Sequence, residues 1–252
     1  MECTEKLDPY MKIWYTLLRR VLCLPGVKVN RDKYLKKELF PRCSEEQIKK
    51  AIETSPAEAK IPRDVIDKIA DSCIKWHTLE ATAISTAAGL PGGWWIAGTI
   101  PADVGQFYWH ILLIVQKLAY LYGWPELFKD ENKFDDETLH KITIFIGVML
   151  GVDGASKGLF KLSELFSQQV GKKLPQMPLS KNIIFKIARE IAKWIGIRLS
   201  KDKFAQIIAR AIPFVGGAIS GSFTYISMSN MGYILKNYLR DLPIANLLCR
   251  SI

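Results

Sequence analysis

The chain has 252 residues, of which 49% are hydrophobic, and a formal net charge of +10. That apolar fraction is enough for a buried core and excludes global disorder. Its five cysteines are scattered, odd in number and without a CxxC pair, which excludes a disulfide framework and a thiolate metal set and fits reduced thiols in a cytoplasmic setting.

Residues 1–50, 51–155 and 156–252 carry net charges of +5, −6 and +11, so the basicity is mostly C-terminal and favours anionic partners. The first residues, MECTEKLDPYMK, alternate acid and base before any apolar run, and no secretory signal peptide is expected there. Apolar residues recur at helical spacing nearly everywhere, with no sustained period-two alternation. The predicted fold is therefore all-α: a compact helical bundle with long apolar helices, glycine-rich close-packing faces and basic amphipathic C-terminal helices.

In chain order, residues 10–24 form a first helix ended by Pro25-Gly26. Ser44 caps a second, with Gln47 at its third position in a capping-box pattern. Ser55, Pro56 and Glu58 supply the cap, proline and acid of a further helix start. A long helix is predicted from about Pro62 to Ala88, with Asp64, Asp67 and Asp71 on one solvated face that the helix dipole favours. The uncharged stretch GLPGGWWIAGTIP that follows is broken by Pro91-Gly92-Gly93. It is expected to be a turn with a Trp94-Trp95 anchor rather than a span, because lipid offers freed backbone groups no partner.

The next helix, opened by Pro101 and closed near Gly123, is apolar nearly all round except for one stripe: Asp103, Gln106, His110 and Lys117. These four are the candidate catalytic or ligand-binding residues. They read either as a buried site with shifted proton affinities or as a polar edge or seam. His77 and His140 read as isolated. In GVMLGVDGASKG, Gly147, Gly151, Gly154 and Gly158 are spaced four, three and four, predicting a glycine stripe against which another backbone packs.

After a Pro175/Pro178 linker, Asn182 to Leu199 alternates an isoleucine face with a basic one. Lys181, Lys186, Arg189, Lys193, Trp194, Arg198, Lys201 and Lys203 are the candidate contacts to an anionic surface, although docking of the apolar face on the chain's own core is the other reading. Residues 211–235 are again uncharged and interrupted at Pro213 and at the Gly217–Gly221 pair. They are expected to be a segment packed within the protein or a shallow hairpin, with a membrane span as the minority reading.

Two stretches together resemble the bacterial EcsC family: GLPGGWWIAGTIPADVGQFYWHILLIVQKLAYLYGWP, with its alanine-aspartate pair and terminal Tyr-Gly, and AIPFVGGAISGSFTYISM. The resemblance covers about residues 78–238. It implies a helical fold and membrane association, marks Asp103 and Tyr122-Gly123 as family features, and brings no established activity. Ser222 to Tyr225 stand where the family pattern leads one to expect an asparagine.

The expected organisation is a basic helical extension over 1–55 and an EcsC-like domain over 56–252. No phosphate loop, GxSxG, HExxH or paired Cys/His set is present, so a non-enzymatic role is expected, with no metal and no cofactor. The leading expectation is peripheral association with the cytoplasmic face of a membrane through the basic helices, with a membrane complex such as a transporter as a second candidate partner. No nucleic acid is expected, since only Trp194 accompanies the cations. The alternatives are a membrane-inserting, pore-forming protein built on the two broken apolar segments, and an enzyme or ligand-binding domain centred on Asp103 and His110.

Overall fold

The computed structural model describes residues 9–88, 102–128, 136–168, 183–193 and 213–246, which are all-helical and contain no strand. The helices are α1 (Pro9–Leu22), α2 (Arg31–Leu39), α3 (Glu45–Glu53), α4 (Arg63–Ala88), α5 (Ala102–Leu121), α6 (Asp136–Met149), α7 (Ala155–Gln168), α8 (183–193) and α9 (Pro213–Arg240), followed by a short 3-10 turn at Pro243–Ala245. Long helices are the backbone of the bundle. α5, with Phe107, Ile111, Ile114, Val115 and Leu118 all fully buried, is its central element, and α4 packs along both α5 and α9.

One buried cluster runs from Met11 in α1 to Ile244 beyond α9 and includes Leu35, Leu39 and Ile48. The expected boundary near residue 55 is therefore not a break in packing: the three N-terminal helices lie on the same core as the rest. Trp14 shows why, since its ring is fully buried and its Nε1–H donates to Thr143 Oγ1 in α6 at 2.9 Å.

The predicted cap of α3 is present, with Gln47 N–H donating to Ser44 Oγ and the Gln47 side chain accepting from the Ser44 N–H. The TSPAEAK segment differs from expectation. It forms a turn rather than a helix, ending at Lys60 in the left-handed region (φ 53°) just before α4. α2 was not foreseen, because nine residues with six charges carry almost no apolar periodicity. Asn30 makes it, accepting from the Lys33 N–H through its side chain.

The glycines of 147–158 do not lie on one helix. Gly151 (φ 67°) closes α6, its N–H bonded to Val148 O while Val152 N–H reaches Gly147 O, the double pattern of a left-handed helix stop; Gly154 (φ 87°) follows in the same turn. Gly158 lies on the buried side of α7, one turn after the buried Ala155. Close packing survives at Gly147, where an added Cβ would lie 2.6 Å from the Ile187 side chain in α8 and 3.0 Å from Ala155 Cβ. We expect Gly147→Ala to lower stability by about 1–3 kcal/mol in urea unfolding, although alanine gains about 1 kcal/mol of helix propensity.

The second uncharged segment also differs from a broken hairpin. Pro213 sits at the first position of α9, where its missing N–H costs nothing, and the helix continues without interruption to Arg240. Gly221 lies against Thr86 and Gly232 against Ile74, which lets α9 approach α4 closely. Gly217 falls among the residues whose side-chain surroundings are not described. The acidic face of α4 is likewise used inside the protein: Asp67 accepts from the Tyr122 hydroxyl (2.8 Å) and pairs with Arg240 (2.9 Å), while Asp71 pairs with Lys236. Only Asp64 is left to a surface pair, with Lys68. Among the described residues no helix is long and apolar enough to cross a membrane.

Candidate functional site

Within the polar stripe of α5, His110 and Lys117 face inward, towards α4. On α4, His77 and Glu80 lie one turn apart; on α5, Gln106, His110 and Lys117 share a face. Where the two helices meet, His77 Nδ1 is 3.1 Å from His110 Nδ1, and Lys117 Nζ is 2.8 Å from His77 Nε2. The Glu80 carboxylate completes the group at 4.0 Å from His77 Nδ1 and 3.9 Å from His110 Nδ1. The two imidazoles are 3% and 1% exposed, whereas the Glu80 side chain is 43% exposed and forms the rim.

The hydrogen-bond chain fixes the ring protons. A Lys117 ammonium donating to His77 Nε2 leaves that ring's proton on Nδ1, from where it is donated to His110 Nδ1; the His110 proton then sits on Nε2. Both rings are held neutral. Burial pushes the His77 pKa down to about 3, helped by Lys117 and by His110, and burial with Lys117 pushes His110 down to about 4. Next to them, the Tyr34 hydroxyl of α2 lies beside the Cys73 thiol, one turn before His77, and Lys117 Nζ stands 5.7 Å over the Tyr34 ring. Burial raises the Cys73 pKa to about 11, so the thiol stays protonated and is no nucleophile at neutral pH.

Two members of this group, Glu80 and His110, line a cleft of about 560 Å³ between α1, α4 and α5. Its walls are Leu17 and Val21 from α1, Leu24 from the turn just beyond it, Ile84 from α4 and Trp109 from α5; Gln106, His110, Glu80 and Arg20 supply the polar lining. The α1 wall is held by the loop behind it. Trp109 Nε1–H donates to Pro25 O (3.1 Å), and the buried Gln116 side chain donates to Val27 O (2.7 Å) and accepts from the Val29 N–H (2.9 Å). Of these lining residues, Gln106 has both amide atoms and His110 has Nε2 buried with no hydrogen-bond partner among the described residues.

Of the predicted site residues, the structure brings His110 and Lys117 together at His77 and sets Gln106 one turn away in the cleft. Asp103 lies in the first turn of α5, and its side chain is outside the described residues. His77, expected to be isolated, is a correction: it is the centre of the group. The sequence signal was present, since Cys73, His77, Glu80 and Ile84 repeat at four, three and four along α4, one polar-lined face of an otherwise amphipathic helix. Tyr122 and Gly123 have structural roles, the tyrosine on Asp67 and the glycine at φ 90° closing α5.

The candidate anionic-surface residues divide differently. Ile184, Ile187 and Ile191 of α8 are buried in the core, so its apolar face is already docked. Lys186 lies 3.5 Å from Asp153 and Lys193 lies 2.7 Å from Glu190, with Arg189 exposed between them. Lys181, Trp194, Arg198, Lys201 and Lys203 fall outside the described residues. No family model matches this chain, and neither does any curated protein or solved structure, so the site must be read from its own chemistry.

Proposed function

We propose that the chain binds a small, largely apolar molecule in the cleft between α1, α4 and α5, gripping a donor–acceptor edge of that molecule with Gln106 and His110. The observation that carries this reading is the Gln106 side chain, whose carbonyl and amino groups are both buried without a partner among the described residues. An unpaired buried polar group costs about 1–3 kcal/mol, and natural cores seldom keep two on one side chain unless something else supplies the bonds. The neighbouring His110 Nε2–H is a third such group. A primary amide offers one acceptor and one donor side by side, so its complement is an amide, lactam or carboxylic acid edge. At about 560 Å³, with mostly apolar walls, the cleft matches the size and lining of small-molecule sites.

The test is Gln106→Met, which keeps the volume and removes both unpaired atoms. The variant is expected to be more stable than the parent by about 1–3 kcal/mol in urea unfolding. Saturation-transfer NMR with a small panel of aryl amides and matched aryl hydrocarbons should show the amides preferred by the parent chain and the preference lost in the variant. A destabilised variant, or equal binding of amides and hydrocarbons by the parent, would refute the reading.

Adsorption to an anionic membrane is the competing reading, supported by the C-terminal charge and by the resemblance to the EcsC family. It draws less support from α8, whose isoleucine face is spent on the core. It expects cosedimentation with phosphatidylserine vesicles that added salt reverses.

A further inference from the structure

We propose that His77, Glu80 and His110 form a binding site for one divalent transition-metal ion of the zinc type, at the inner end of the cleft. Two imidazoles and one carboxylate are a ligand set suited to such ions, and the three donor atoms lie on two adjacent helices of a rigid bundle. Their spacing is the argument. A triangle with sides of 3.1, 3.9 and 4.0 Å has its equidistant point about 2.1 Å from each corner, which falls within the roughly 2.0–2.2 Å of zinc–nitrogen and zinc–oxygen bonds.

The surroundings agree with the geometry. His77 and His110 are buried, so bulk water does not compete for their Nδ1 atoms, and moving the His77 proton from Nδ1 to Nε2 frees both Nδ1 lone pairs for the ion. Glu80 stands at the cleft rim, partly exposed, where a hydrated ion enters and where a flexible carboxylate can close the last few tenths of an ångström. Three protein ligands leave a fourth position open on the cleft side, the arrangement of zinc sites that hold a water or a bound molecule. His110 bound through Nδ1 keeps its proton on Nε2, a buried atom without a partner among the described residues.

Lys117 opposes the ion. Its contact with His77 Nε2 holds the His77 proton on Nδ1, the very atom the metal needs, and places a cation one ring away. Metal binding therefore requires Lys117 to leave His77 Nε2, and the Lys117→Met chain is expected to bind more tightly than the parent.

The experiment uses the full chain, freed of any affinity tag and stripped with a chelator, titrated with Zn2+ against a chromophoric chelator. Expected are one Zn2+ per chain, a rise in melting temperature on loading, a loss of affinity of more than about tenfold in Glu80→Gln, and a gain in Lys117→Met. Glu80 is on the rim, so Glu80→Gln should fold normally even if His110→Gln does not. Failure of the parent chain to take up stoichiometric Zn2+, or uptake that Glu80→Gln leaves unchanged, would overturn the assignment.

Discussion

Replacing Arg31 by methionine is expected to remove about 3–5 kcal/mol of stability, a large share of what holds a domain of this size folded. Arg31 is 7% exposed and spends its guanidinium on backbone carbonyls: Nε–H donates to Trp124 O at 3.1 Å, and the terminal nitrogens donate to Ile52 O (2.8 Å), Ala51 O (3.2 Å) and Thr54 O (3.1 Å). Those acceptors are the open C-terminal end of α3 and the chain just past α5, so one side chain closes a helix end and ties α2 and α3 to the central helix. Burial lowers the affinity of the guanidinium for its proton and Asp32, at 3.4 Å, opposes that effect. Methionine matches the stem but leaves the carbonyls without their donors, each a polar group that water reaches poorly. Urea unfolding followed by tryptophan fluorescence reads the loss. A change below about 1 kcal/mol would mean that water satisfies the carbonyls and that Arg31 is no keystone.

Arg31 was also legible in principle. A cation at the first position of a helix works against the macrodipole, and such a placement points to a tertiary partner. The long helices were readable because their signals are local: Pro62 and Gly89 bracket α4, Pro101 and Gly123 bracket α5, and Ser44 with Gln47 caps α3. What periodicity cannot give is which face meets which. The α5 stripe reads equally well as a wet edge or an inward seam. Only the packing of α4 against α5 decides it, because that packing puts His77, 33 residues away, at 3.1 Å from His110. The glycine run shows the opposite failure, in which spacing alone suggested one helix face. Left-handed backbone at Gly151 and Gly154 turns the chain there instead, a use of glycine that a period of four cannot distinguish from close packing.

The same two histidines predict a steep loss of stability in mild acid for the chelator-treated chain. Unfolded, each ring has an ordinary pKa near 6.5; folded, His77 is held at about 3 and His110 at about 4. Above pH 6.5 neither state takes up these protons, and stability is at its full value. As pH falls below 6.5 the unfolded chain binds two protons that the folded chain refuses, so stability drops with a slope approaching about 2.7 kcal/mol per pH unit, and the slope ends only near pH 4 to 3 where the folded rings protonate. Between pH 7 and pH 5 the expected loss is roughly 3–4 kcal/mol as an upper value, reduced by the Glu80 carboxylate, which at about 4 Å favours a charged ring. Lys117 acts the other way. Burial is the larger cause of both depressions, so Lys117→Met should lessen the acid sensitivity without removing it. Urea midpoints at pH 7 and pH 5, for the parent and for a His77→Gln/His110→Gln chain, measure the difference directly. The variant has no imidazole at either position and should lose little over that interval. Equal losses in the two chains would place the acid sensitivity elsewhere and would show that the pair is open enough to water to ionise in the folded protein.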